Sequence, residues 1–200
     1  MLSSLSLHNF KSARNLEVPL KRLTVLSGLN GAGKSTVLQA LGLVLQNRPS
    51  TIHSDLITRL ILNGSLIRLG TIGNILSDRA EDQFIKIGLQ VILDEQSFNV
   101  EWRGEGNAED DVLDVNESGA FGKASWFFHD QEFQFLQADR LTPQTLYDRS
   151  DSASRERQLL GAHGQFTPDF LAIHADIMKV GEKRHCPASI PGLPSELMAR

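Results

Sequence analysis

The residues Gly28-Leu29-Asn30-Gly31-Ala32-Gly33-Lys34-Ser35 satisfy the pattern G-x-x-x-x-G-K-S in full. Each residue type in it has a task in holding phosphate. Glycines at 28, 31 and 33 let the backbone turn tightly and bring several N–H groups toward one point. Those donors, with the N-terminus of a following helix, make an anion site. Lys34 is expected to reach the β- and γ-phosphates of a nucleoside triphosphate, with ATP the first choice, and the Ser35 hydroxyl to ligate Mg²⁺. Thr36 adds a hydroxyl for the α-phosphate. The expected nucleotide contacts are therefore Asn30, Gly31, Ala32, Gly33, Lys34, Ser35 and Thr36.

A loop of this kind needs a strand before it and a helix after it. Leu23-Thr24-Val25-Leu26 is short and mostly apolar, the pattern of a strand buried on both faces. Val37, Leu38, Leu41, Val44 and Leu45 recur at helical spacing and predict a helix from about Lys34 to Asn47, ended by Arg48-Pro49. Upstream, Leu5, Leu7 and Asn9 alternate with Ser4, Ser6 and His8, and Leu16, Val18 and Leu20 repeat the alternation. Neighbouring strands are expected over 2–10 and 15–20.

Further along, residues 53–63 suit a short helix leading to a turn at Asn63-Gly64. Ile85, Ile87, Leu89, Val91 and Leu93 share one face of a strand, and Phe98, Val100 and Trp102 share a face of the next. Only Asp94-Glu95-Gln96-Ser97 separate them, which predicts an antiparallel hairpin. Residues 104–117 hold six acidic residues and no basic ones, the composition of a solvated loop. The aromatic run Ser125–Ala138 reads as another strand. Thr167-Pro168-Asp169 reads as an N-cap with proline at the first helical position, and Phe170, Ile173 and Ile177 give that helix an apolar face.

Bulk properties set limits. The chain has 200 residues, 40% hydrophobic and 22% charged, as in one ordinary globular domain. A formal charge of −4 gives no global pull toward nucleic acid, although a local basic groove can coexist with net acidity. Cys186 is the single cysteine, so no internal disulfide can form, which fits a reducing cytoplasm. No stretch approaches the roughly 18 apolar residues of a membrane span. The six histidines show no paired metal-ligand spacing, so Mg²⁺ is the one metal expected.

The segments Leu5-Ser6-Leu7-His8-Asn9-Phe10-Lys11-Ser12, Leu16-Glu17-Val18 and Leu23 to Thr36 resemble the start of ABC-type ATPases of the SMC, RecF and OLD group. A narrower resemblance, to stand-alone bacterial ATPases of that group, rests on Leu62-Asn63-Gly64-Ser65-Leu66-Ile67-Arg68-Leu69-Gly70, on Leu136-Gln137-Ala138-Asp139-Arg140-Leu141-Thr142-Pro143, and on Gly161-Ala162-His163-Gly164. The resemblance implies an α/β fold: a P-loop core sheet, shaped like an ABC head, with an added antiparallel β-lobe. It implies one P-loop domain over 1–200, divided into 1–50 (strands, loop and first helix), 51–145 (β-lobe) and 146–200 (helices and loops). It also implies a dimer of ATPase heads with nucleotide between them. Several relatives act in DNA repair or phage defence.

A working ABC-type site also needs a signature helix, a Walker B strand ending in Asp-Glu, and a switch histidine. In this group they follow the segments matched here. The expectation is therefore that the chain is the N-terminal half of a longer ATPase, incomplete at its C-terminus, that hydrolyses ATP once the other half is supplied. Val91-Ile92-Leu93-Asp94-Glu95 mimics Walker B. Its apolar residues alternate with Lys86, Gly88 and Gln90, however, whereas a Walker B strand is a continuous apolar run, so Asp94-Glu95 is read as a turn. The resemblance further offers Gln137 as a Mg²⁺ contact, Arg140 near the nucleotide or dimer seam, and Lys11, Ser12 and Arg14 beside the base or α-phosphate. The alternatives are a satisfied surface amide for Gln137, a structural salt bridge to Asp139 or another acid for Arg140, and an exposed turn for Lys11, Ser12 and Arg14. Lys179, Lys183, Arg184 and His185 form a small basic cluster, read as a solvated helix end, with phosphate contact from nucleic acid as the alternative. Two rival functions stay open: a non-catalytic nucleotide-dependent interaction module, and a complete small P-loop kinase.

Overall fold

A computed structural model of the chain describes residues 1–47, 57–119, 134–139, 141–142, 144–156 and 159–174. The N-terminal alternation produces β1 (Leu2–Phe10) and β2 (Ala13–Pro19), paired antiparallel. Helix α1 (Lys34–Gln46) follows the glycine-rich loop, as its spacing predicts. Then come β3 (Arg59–Ile61), the short α2 (Ile72–Ile75), β4 (Ile85–Leu93), β5 (Gln96–Gly104) and β6 (Val112–Gly119). A π-helical turn at Ser152–Glu156 and α3 (Thr167–His174) end the regular structure described.

All six strands lie in one antiparallel sheet of order β2-β1-β4-β5-β6-β3. The fold is α/β, with the first two strands and the later hairpin sharing that sheet. Period-two alternation buries Leu5 and Leu7 of β1, Ile85, Ile87, Leu89 and Val91 of β4, and Val100 and Trp102 of β5. Residues Val37, Ala40, Leu43, Val44 and Leu45 of α1 join the same core. Gly42 permits a close approach from the other side: a β-carbon there would sit 2.9 Å from Ile67 Cγ2 and 3.1 Å from the Phe135 ring. That contact draws residues 64–68 and 134–138 onto α1.

The β4–β5 hairpin closes on two residues, with Leu93 opposite Gln96. Asp94 (φ 46°) and Glu95 (φ 65°) are both left-handed, as the tightest hairpin turns demand. The predicted turn is confirmed and is two residues shorter than the four-residue linker read from the sequence.

Several expectations are corrected. Residues 59–61 of the supposed 53–63 helix form β3, which pairs with β6; the turn at Asn63-Gly64 does form, closed by Gly64 N–H donating to the Ile67 carbonyl at 2.9 Å. The acidic stretch is not all loop. Leu113 and Val115 are buried and place residues 112–119 in the sheet; Asp114 faces out, whereas Glu117 shares the inner face and accepts from Trp102 Nε1 and the Ile57 N–H, both at 2.8 Å. Residues 134–138, the described part of the expected 125–138 strand, have no strand conformation. In α3 the buried residues are Asp169 and His174 rather than Phe170 and Ile173; Ile177 lies outside the described residues. Asp169 is held by Arg149 Nε at 3.0 Å and the Ser150 N–H at 3.3 Å, and His174 Nε2 contacts the Ser154 carbonyl at 3.0 Å.

The largest difference from expectation concerns residues 23–26. They form no ladder with any described strand, and Leu23 and Val25 are 81% and 76% exposed. An apolar run becomes a buried strand only where neighbours supply hydrogen bonds and cover. The described sheet supplies no ladder here, and only Leu26 of the run packs against the core.

Candidate functional site

The glycine-rich loop is shaped by its own backbone. Gly28, Gly31 and Gly33 have φ of 149°, 82° and 85°, values that side chains rarely tolerate. Gly33 caps α1 in the left-handed conformation, and no acidic residue lies in the first turn. The positive end of the α1 dipole is therefore not neutralised from within the helix. Ser35 opens the exposed face of that turn, and its hydroxyl makes no hydrogen bond to the described chain. A free hydroxyl at a helix N-terminus suits a hard cation such as Mg²⁺.

Lys34 is folded back on the loop. Its ammonium donates to the Gly28 carbonyl at 2.8 Å and the Leu29 carbonyl at 2.7 Å. Thr36 is buried and shares a 3.0 Å hydrogen bond with the Ser12 hydroxyl. Lys11 Nζ donates to Gln39 Oε1 on α1 at 3.0 Å, and burial lowers its ammonium below the usual lysine range. The β1–β2 turn thus rests against the start of α1. Ser12 and Lys11 contact the helix that follows the loop, whereas Arg14 pairs with Glu81.

Beside the loop, a cleft of about 860 Å³ is walled by Ser35, Leu38 and Gln39 of α1, by Gly64–Arg68, by Gln134–Ala138 and by His163. Four segments far apart in sequence meet here. The Gln137 N–H donates to the Ala162 carbonyl at 2.8 Å and the Leu141 N–H to the His163 carbonyl at 3.1 Å. Gln137 Nε2 donates to the Leu66 carbonyl at 2.6 Å. Gln137 therefore lines the same cleft as Ser35, with its amide nitrogen committed and its Oε1 left as acceptor. His163 Nδ1 lies 2.8 Å from the Asp139 carbonyl. Reading the sequence assigned no role to Arg68, Gln39 or His163. Arg68 and His163 sit inside the resembling segments, but nothing in their spacing links them to a loop more than thirty residues upstream. Arg140 and the cluster Lys179, Lys183, Arg184 and His185 lie outside the described residues.

Asp94 and Glu95 are exposed at the hairpin tip, and neither lines the cleft. Glu95→Gln is expected to change ATP affinity less than twofold and to leave any hydrolysis untouched. A titration and a phosphate-release assay check this; retained binding with turnover lost would make Glu95 a reacting carboxylate.

No helix among the described residues is long and apolar enough to cross a membrane. In sequence, a family model described as the AAA ATPase domain matches residues 1–154. Over 45 residues the chain is 47% identical to an OLD nuclease of Thermus scotoductus, a stretch that covers 22% of this chain and 8% of that nuclease.

Proposed function

Because the chain belongs to the AAA ATPase domain family, we propose that it binds ATP, with Mg²⁺, on the loop Gly28–Ser35. The observation that carries this reading is the loop's geometry at the uncompensated N-terminus of α1: three glycines at positive φ, and Lys34 and Ser35 at its end. Backbone N–H groups from Asn30 to Lys34 would cradle the phosphates, as the fingerprint requires. Lys34 would leave the Gly28 and Leu29 carbonyls for the β- and γ-phosphates. Thr36, positioned by Ser12, would face the α-phosphate, and Lys11 would flank the nucleotide. Ser35 would hold Mg²⁺, with Gln137 Oε1 as a second oxygen from across the cleft. When bound, the ion neutralises charge between the terminal phosphates.

Hydrolysis is proposed for a larger assembly. The exposed apolar run at 23–26 calls for neighbouring strands, and no carboxylate is among the described residues walling the cleft. A second head and the remaining strands of an ABC-type sheet would supply both. The stretch shared with a nuclease favours nucleic-acid processing, in repair or phage defence, as the setting. The same carboxylate-free cleft favours one second reading, a module that binds ATP to control an interaction without turning it over. The first test is calorimetric titration of ATP with Mg²⁺ into the folded chain. Saturable one-to-one binding is expected, and no binding by a folded chain sinks the proposal.

A further inference from the structure

The cleft beside Ser35 differs in charge from the rest of the chain. The sequence holds 24 acidic residues against 20 lysines and arginines, yet the described lining of the cleft contains no carboxylate. It does contain a cation, Arg68, and an imidazole, His163. Arg68 is exposed on the turn closed by the Asn63–Arg68 bridge, and it forms no ion pair among the described residues. Its guanidinium is always charged, and its fork of N–H donors matches a phosphate.

His163 is oriented by its backbone neighbour. The Asp139 carbonyl can only accept, so at 2.8 Å the proton on Nδ1 is fixed, and Nε2 is the ring atom left to meet a ligand. The two residues come from separate loops. They share a wall with Ser35, the residue at the terminal-phosphate end of the loop in the reading above.

We propose that this cleft receives the terminal phosphate and that Arg68 and His163 are specificity-determining residues that make the site prefer ATP to ADP. The inference rests on ATP binding at the glycine-rich loop. Its physical basis is a difference of affinities: the triphosphate carries extra negative charge into a cleft with a cation and no carboxylate, and the diphosphate leaves Arg68 and His163 unmet.

The test compares ATP and ADP, each with Mg²⁺, by calorimetric titration into wild type, Arg68→Gln, His163→Asn and Lys34→Ala. Arg68→Gln keeps a polar, unbranched but shorter side chain and removes the charge at an exposed site. In His163→Asn the amide nitrogen replaces Nδ1 toward the Asp139 carbonyl, so local structure is kept while Nε2 is lost. The preference for ATP should fall about tenfold in Arg68→Gln and about threefold in His163→Asn, with ADP affinity held within about twofold, as expected for loss of a charge-assisted contact. An unchanged ATP/ADP ratio in both variants, or equal losses for the two nucleotides, overturns the proposal. If those results come with tight wild-type binding that Lys34→Ala weakens by about a decade or more, the loop reading survives and only this inference fails. If wild type binds neither nucleotide, or Lys34→Ala binds like wild type, the loop reading fails and takes the inference with it.

Discussion

Replacing Lys34 with alanine is expected to weaken ATP binding by roughly one to two decades without lowering thermal stability. A charge-assisted contact contributes about 1.5–3 kcal/mol, and each decade of affinity corresponds to about 1.4 kcal/mol. In the free chain the ammonium is bound to the Gly28 and Leu29 carbonyls. Phosphate must therefore displace two neutral acceptors, and the net gain comes from exchanging them for an anion. That exchange places the effect at about these values rather than far above them. Lys34 is partly exposed and outside the core, so alanine should leave the fold intact. Fluorescence titration with an ATP analogue, alongside a thermal melt, checks both halves. Equal affinity in a variant that melts like wild type would exclude the lysine from phosphate binding.

The other large effect is an expected lack of turnover by the 200-residue chain alone. Water must be positioned by a carboxylate or its equivalent, and charge on the transferring group must be met from the opposite side. The described wall of the cleft offers no carboxylate, and Asp94-Glu95 is occupied in a hairpin turn. Phosphate release should match the Lys34→Ala blank. Leu23 and Val25 should also make the chain prone to association through an exposed apolar segment. Supplying a polypeptide that pairs with residues 23–26, fused or separate, should raise both solubility and phosphate release. Strong turnover by the chain alone, lost in Lys34→Ala, would show that a complete site lies within it.

Much of this was legible in the sequence because the determinants are local. The loop, α1 and the β4–β5 hairpin each depend on residues within a few positions of one another, and their periods are unambiguous. Where the pattern was mixed, the reading went astray. Val112-Leu113-Asp114-Val115-Asn116-Glu117 alternates as a strand should, but its carboxylates outweighed the alternation. Sheet order was not readable, since nothing local says that β1 pairs with β4. Nor was the cleft, which joins Ser35, Arg68, Gln137 and His163 through contacts such as Gln137 Nε2 to the Leu66 carbonyl. At residues 23–26 the apolar composition predicted a buried strand, whereas Leu23 and Val25 are exposed and pair with no described strand.

The pairing of β1 with β4 bears on the order of events during synthesis. Leu2 lies opposite Val91 and Leu7 opposite Ile87, so an interior seam of the sheet joins the first residues made to residues translated much later. The β1–β2 hairpin can close early, but its other edge waits, with Leu5 and Leu7 uncovered, while the glycine-rich loop and α1 emerge. Long-range pairing of this kind delays folding, because the loop-closure entropy must be met before any contact rewards it. The glycine-rich loop is thus complete as a chain segment well before the sheet beside α1 exists, and the helix reaches its final packing only after β4 leaves the ribosome.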